Sequence, residues 1–201
     1  MQKLTPEQAL ETLMAGNTRY VANRQNPHDY AAERQGLVQN QEPFAAVIRC
    51  ADSRVAPEII FDQAMGELFV CGVAGNIPTD EIIASLEYAV SILGTPLIMI
   101  EGHTNCGAVH AALTHRNDLS QLPGSLPDLI TQILPCTSAL QGDESGWLDQ
   151  AVTNNVNAGI RRILERSQVI QEAVESGTCQ VLGGVYHLES GIFNLIDGES
   201  Q

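Results

Sequence analysis

The chain has 201 residues, with 10 Lys+Arg against 24 Asp+Glu and a formal charge of −14. That length suits one domain over 1–201, an N-terminal helical arm at 1–40 and a core at 41–201, burying roughly 70% of the surface its unfolded chain would expose. The acidic excess repels nucleic acid and anionic lipid. No window approaches the ~20 apolar residues of a membrane span, and no basic segment, apolar core and cleavage site follow Met1, so the expectation is a cytoplasmic protein with neither nucleic acid nor membrane as partner.

Thr5-Pro6-Glu7-Gln8 starts a helix in three ways. Thr5 can cap, Pro6 suits the first helical position and Gln8 completes a capping box. The helix is expected to reach about Asn23, and its partial apolar stripe suggests that it lies across another surface, such as a second subunit. A second short helix follows over Tyr30 to Val38. Phe44 to Ile48 is a continuous apolar run, the pattern of a strand covered on both faces, and it ends at Arg49-Cys50. Leu68 to Val73 is another. Thr79 or Asp80 caps a helix closed by Gly94, and Pro96 to Ile100 forms the next strand. Cys106 to His115 reads as helix, followed by a polar loop and a stretch broken by Pro123 and Pro127. Trp147 to Ser176 is largely helical, with Asn155, Asn157 and Gly159 weakening its middle. Gln180 to His187 and Ile192 to Ile196 close the chain as strands. Alternating strands and helices predict an α/β fold whose central sheet is mostly parallel and flanked by helices.

Five cysteines in irregular spacing, without an export signal, argue against a disulfide framework. Cys71, within Leu68-Phe69-Val70-Cys71, reads as a small core residue. Cys50 and His103 each follow a strand-like run, and His103-Thr104-Asn105-Cys106 supplies two donors from one turn. In open α/β sheets ligands gather beyond the carboxyl ends of strands. Two thiolates and an imidazole suit Zn²⁺, and three protein ligands leave a fourth position for water. The two sulfurs cancel the ion's charge, so something must compensate for the water's lost acidity. Asp52 can accept a hydrogen bond from that water, and Arg54 can hold Asp52 ionised through a forked pair. A structural zinc with Asp52 as fourth ligand, or three unrelated buried residues, would use the same side chains.

Cys50-Ala51-Asp52-Ser53-Arg54-Val55 and Gly102-His103-Thr104-Asn105-Cys106-Gly107-Ala108 resemble the two signature motifs of the β-class carbonic anhydrases. Pro57-Glu58, Phe61-Asp62, Gly66 to Val70, Ala74-Gly75-Asn76 and Ser85 to Val90 extend the likeness over residues 41–113. The resemblance implies zinc held by Cys50, His103 and Cys106, with Asp52 and Arg54 as the catalytic dyad. It further implies reversible hydration of carbon dioxide to bicarbonate, in a homodimer or dimer of dimers whose active sites lie at the subunit interface. Gln41, Phe69 and Tyr88 match the plant-type subgroup, in which these positions line the substrate pocket and the two aromatics come from the neighbouring subunit.

The expected chemistry is attack of a metal-activated hydroxide on carbon dioxide, with Gln41 and the backbone N–H groups near Gly107 stabilising the oxygen that gains charge. His110 reads as a packed or solvent-facing residue before it reads as a proton relay. Three positions depart from the family pattern: Arg49, Gly72 and Glu101. If the strands ending at Cys50 and His103 are neighbours, Arg49 and Glu101 are placed to pair, moving a positive charge from the second strand to the first. The departures keep carbonyl sulfide or carbon disulfide hydrolysis as an alternative. A non-catalytic zinc protein that binds bicarbonate is a further one, although a structural site has no need of the Asp52/Arg54 dyad. A thiol redox protein is a third alternative, disfavoured because no Cys-x-x-Cys occurs.

Overall fold

The computed structural model describes residues 3–138 and 140–196; the expected domain limits, 1 and 201, lie outside them. Helix α1 (Pro6–Val21) starts as its sequence directs, with Thr5 and Gln8 exchanging side-chain and backbone hydrogen bonds. Ala9 and Leu13 are fully buried on its inner face. Gly16 lets the helix touch the backbone, since a Cβ there would fall 1.7 Å from the Phe61 carbonyl oxygen. The inner face of the arm helix therefore docks on its own chain. A short exposed helix, α2 (Tyr30–Gly36), follows behind an Asp29 cap.

The sheet contains β1 (Ala45–Arg49), β2 (Leu68–Gly72), β3 (Leu97–His103), β4 (Gln180–Tyr186) and β5 (Phe193–Leu195). Its order is β2-β1-β3-β4-β5, parallel except for the β4–β5 pair. Alternation along the strands divides the interior. Val47, Leu97 and Met99 pack with α1 residues Ala9 and Leu13 on one face, whereas Ile48, Ile98 and Ile100 pack on the other with the helices named below. Every residue of β3 is buried, and each aliphatic side chain so enclosed is worth about 1.5–3 kcal/mol relative to exposure.

Connections are helical, as parallel neighbours require. The chain between β1 and β2 includes α3 (Pro57–Ile60). Between β2 and β3 lies α4 (Asp80–Tyr88), capped by Thr79 and extended by one wide turn over Ala89–Leu93 to left-handed Gly94. After β3 come α5 (Gly107–Thr114), α6 (Leu126–Ile133), α7 (Trp147–Arg166) and α8 (Gln168–Glu175). Val156 and Ile163 of α7 join Ile83 and Leu86 of α4 on the second face. α7 presses close because Gly102 and Gly183 lack side chains: a Cβ at either would come within 2.6 Å of a Val156 methyl.

Four features differ from the sequence expectation. No element was expected at α3 and only a stretch broken by Pro123 and Pro127 at α6, but Pro57 and Pro127 sit in the first turns of these helices, where a missing N–H costs nothing. The long final helix is two, broken at Ser167, whose extended backbone caps α8 through a hydrogen bond from the Ile170 amide. β3 continues past Ile100 through Glu101 and Gly102 to His103, paired to β4 along its whole length.

Candidate metal centre

Cys50 stands immediately after β1 and His103 is the last residue of β3, and these strands are neighbours. Cys106 is the residue that caps α5. The turn between His103 and Cys106 passes through Asn105 at φ +56°, a left-handed conformation that asparagine tolerates better than most residues. One donor atom from each of Cys50, His103 and Cys106 lies within 4.8 Å of the others, and the two sulfurs are 4.0 Å apart. The ligands predicted from the two motifs thus converge.

The imidazole is arranged to bind a cation. Nδ1 of His103 lies 2.9 Å from the Thr104 carbonyl, which can only accept, so Nδ1 carries the proton and Nε2 presents its lone pair. Nε2 is buried without a protein partner, and His103 is 0% exposed. An orphaned acceptor is disfavoured unless something fills it. Two sulfurs and this nitrogen are the donor set zinc prefers in a tetrahedral site. Hydrogen bonding from Cys106 lowers the Cys50 thiol to about 4, assisted by His103 and the Gly75 amide and opposed by burial. The same bond, with burial, pushes Cys106 up. Metal binding would require both thiols to lose their protons.

Asp52 and Arg54 form the predicted fork. Arg54 Nε donates to Oδ1 at 2.9 Å and an Arg54 terminal nitrogen to Oδ2 at 2.8 Å, while the Arg54 amide adds a bond to Oδ1 at 2.9 Å. These donors hold the Asp52 carboxyl down to about 2, against a smaller opposing effect of burial. Asp52 does not belong to the donor cluster, and its carboxyl oxygens are held by Arg54. Cys71, Cys136 and Cys179 are buried apart from it, and burial pushes their thiols to about 11, 12 and 11.

Of the remaining predicted residues, only Gly107 adjoins a ligand, next to Cys106. Gln41 is exposed in the loop before β1, and Gly107 is exposed at the first position of α5. Phe69 and Tyr88 approach each other, with ring centroids 6.4 Å apart. Phe69 packs with the second core, whereas Cys50 and Cys106 belong to the first. His110 is exposed on α5.

Arg49 and Glu101 are partners in register, yet they form no ion pair. An Arg49 terminal nitrogen donates to the Cys50 carbonyl at 2.7 Å, and the guanidinium covers Gly72, within 3.6 Å of where a Cβ would stand. It thereby places a charge over the second strand from the first. Both carboxyl oxygens of Glu101 are buried without partners, and burial pushes its pKa well up while Arg49 pulls the other way.

Two residues at the site were given no role from sequence. Gly75, in the turn after β2, donates its N–H to Cys50 Sγ at 3.3 Å. Asn155 of α7 donates through Nδ2 to the Gly75 carbonyl at 2.8 Å. The available signal was an asparagine on the buried side of α7, between Val152 and Val156.

Fold and donor set together define a zinc enzyme with a Cys₂His site at the carboxyl edge of a parallel sheet. Residues 45–193 match the family model described as carbonic anhydrase. The chain is 37% identical over 192 residues to carbonic anhydrase 2 of Mycobacterium tuberculosis, covering 95% of this chain and 93% of that protein. Its fold is similar to the Coccomyxa β-carbonic anhydrase solved in complex with acetazolamide, with a TM-score of 0.73, 28% identity and coverage of 98% and 90%. It is also similar to one of two tetrameric β-carbonic anhydrases of Sordaria macrospora, with a TM-score of 0.70, 26% identity and coverage of 93% and 96%. The chain belongs to the β-carbonic anhydrase family, whose members interconvert carbon dioxide and bicarbonate at a zinc held by two cysteines and a histidine.

Proposed function

We propose that this protein hydrates carbon dioxide reversibly to bicarbonate and a proton, with Cys50, His103 and Cys106 holding zinc and Asp52 and Arg54 orienting the nucleophile. The observation that carries this reading is the convergence of two sulfurs on a buried, otherwise unpartnered His103 Nε2. Zinc so held supplies Lewis acidity that makes a water molecule ionisable near neutral pH. Asp52 is suited to the other half of that task. Its Oδ1 accepts two bonds from Arg54 and its Oδ2 one, and a carboxylate has about four acceptor sites. One lone pair on Oδ2 is left to accept a hydrogen from the attacking oxygen and aim it at the substrate carbon. The first N–H groups of α5 lack intrahelical partners, and that of Gly107, on the exposed side, is suited to the substrate oxygen that gains charge. Gln41 serves the same oxygen in this reading.

Phe69 and Tyr88 act in a neighbouring copy's pocket. Tyr88 is 46% exposed and Ile92 67% exposed beside the sheet-edge strand β2, a surface suited to a second copy of this chain. The Sordaria relative is described as tetrameric, and we assign this chain a homodimer, or a dimer of dimers. The chain works as one unit in the cytoplasm. Five free cysteines suit a reducing compartment, and no described helix is long and apolar enough to cross a membrane.

Stopped-flow carbon dioxide hydration with metal analysis tests the assignment. The wild type is expected to carry one zinc per chain and to hydrate carbon dioxide, and Asp52→Ala to keep its zinc while losing about 100-fold in rate. Zinc without hydration in the wild type would instead favour the non-catalytic bicarbonate-binding role.

A further inference from the structure

We propose that Asn155 is a positioning residue for the zinc site, acting through Gly75 on the sulfur of Cys50. The inference rests on the metal reading of Cys50, His103 and Cys106. Asparagine is a poor helix former and a buried amide must be paired, yet Asn155 is 6% exposed in the middle of the twenty-residue α7. Its Nδ2 reaches out of the helix to the Gly75 carbonyl at 2.8 Å. On the other side of the same Cα, the Gly75 N–H points at Cys50 Sγ at 3.3 Å.

Gly75 has φ +78° and Asn76 follows at +44°, so the turn after β2 is held in a conformation that glycine enters and leaves easily. Two contacts reduce that freedom. A Cβ at Gly75 would meet Ile133 Cδ1 at 2.4 Å and Ala108 Cβ at 3.3 Å, so the space beside its Cα is filled. Asn155 anchors the carbonyl on one side of the Gly75 Cα, which narrows the rotation open to that glycine and so the directions in which its N–H can point. A long helix packed on the sheet through Val156 thereby sets a hydrogen bond to a metal ligand.

The chemical consequence follows from charge. Two thiolates neutralise a divalent ion and reduce its Lewis acidity, and an N–H donor draws charge back from one of them. The Asn155–Gly75–Cys50 relay thus supplies part of the compensation that a two-sulfur site needs. It also preorganises Cys50, so its loss should weaken metal binding.

The test compares Asn155→Leu and Asn155→Asp with the wild type and with Asn154→Ala. Asn154 is a suitable control because its Nδ2 holds the Cys136 carbonyl at 3.2 Å, a comparable bond that leads to no metal ligand. Zinc affinity is read by chelator competition, and the sulfur-to-metal charge-transfer band is read in cobalt-substituted protein. Both Asn155 variants are expected to bind zinc about tenfold more weakly and to shift the band, with Asn154→Ala matching the wild type on both. Unchanged affinity and band in the Asn155 variants would overturn the proposal, as would equal weakening in Asn154→Ala. A measurement on the wild type covers variants that fail to fold: cadmium-113-substituted protein should show scalar coupling between the metal and the Gly75 amide proton, and its absence would also overturn the proposal. Failure of the wild type to bind zinc or cobalt is a distinct result, since it would remove the metal reading itself.

Discussion

Arg54 donates three hydrogen bonds to one carboxylate although its own side chain is 53% exposed. An exposed ion pair contributes little to stability, so the value of this one lies in fixing the direction of the Asp52 lone pairs. Arg54→Lys keeps the charge but not the planar fork. It is expected to lower kcat about tenfold at unchanged zinc content, with Arg54→Ala lower still, read by stopped-flow hydration with metal analysis. Retained wild-type kcat in Arg54→Ala would mean that the fork is ornamental to the reaction. The three thiols outside the site carry a different prediction. Burial lifts Cys71, Cys136 and Cys179 to about 11, 12 and 11 from an ordinary 9.0. Their folded pKa values exceed the unfolded ones, so the unfolded chain ionises first and stability falls as pH rises above about 9. Each thiol contributes a loss of about 1.4 kcal/mol per pH unit until it ionises in the folded state. Cys179→Ala should make the decline in denaturant-derived stability between pH 9 and 10.5 shallower by about that amount, and an unchanged slope would refute the assignment.

At the scale of elements, Ser167 joins α7 to α8 and ties both to α4. Its Oγ accepts from the Ile170 amide at 3.2 Å and donates to Glu87 at 2.6 Å. Ser167→Ala removes the cap and a partner of the Glu87 carboxylate. It should cost about 1–2 kcal/mol in denaturant unfolding at an unchanged m-value, and a loss near zero would show that α8 is held by its apolar face alone. That junction was not legible in sequence because no glycine or proline marks it. The opposite error hid α6, where Pro127 read as a break although it sits in the helix's first turn, and four-residue α3 is too short for its apolar pattern to show. The strands were legible because sheets covered on both faces need unbroken apolar runs, and β3 outran its prediction where the run ends in Glu101-Gly102. The metal ligands were legible for another reason: Cys50-Ala51-Asp52-Ser53-Arg54 and Gly102-His103-Thr104-Asn105-Cys106-Gly107 resemble the family's two motifs, whereas spacing alone left other readings open. Asn155 was not, because its single hydrogen bond spans 80 residues and local pattern assigns it only a helix penalty. Arg49 and Glu101 show the limit of register. The strands pair as expected, but the guanidinium has a carbonyl and the open space over Gly72 as better partners.

The whole molecule poses the question of where each active site ends. Within one chain Cys50 and Cys106 lie with one core, while Phe69 packs with the other beside a half-exposed Tyr88. In the proposed homodimer, a pocket that uses all of them would draw on two chains, with the sheet-edge strand β2 at the seam. A closed two-fold pair would give each subunit the aromatics of the other. Complementation distinguishes this arrangement from one in which each chain is self-sufficient. Asp52→Ala impairs the site of its own chain, and Tyr88→Ala should impair the site of its partner. Each variant alone is expected to be nearly inactive. In an equimolar mixture, half of the randomly assembled dimers pair the two variants, and each such dimer contains one site with both Asp52 and Tyr88 intact. Exchange of subunits should therefore restore about a quarter of wild-type hydration, with sedimentation confirming that dimers persist. If exchanged mixtures gain nothing over the separate variants, Tyr88 acts within its own chain or not at all, and the shared pocket is wrong.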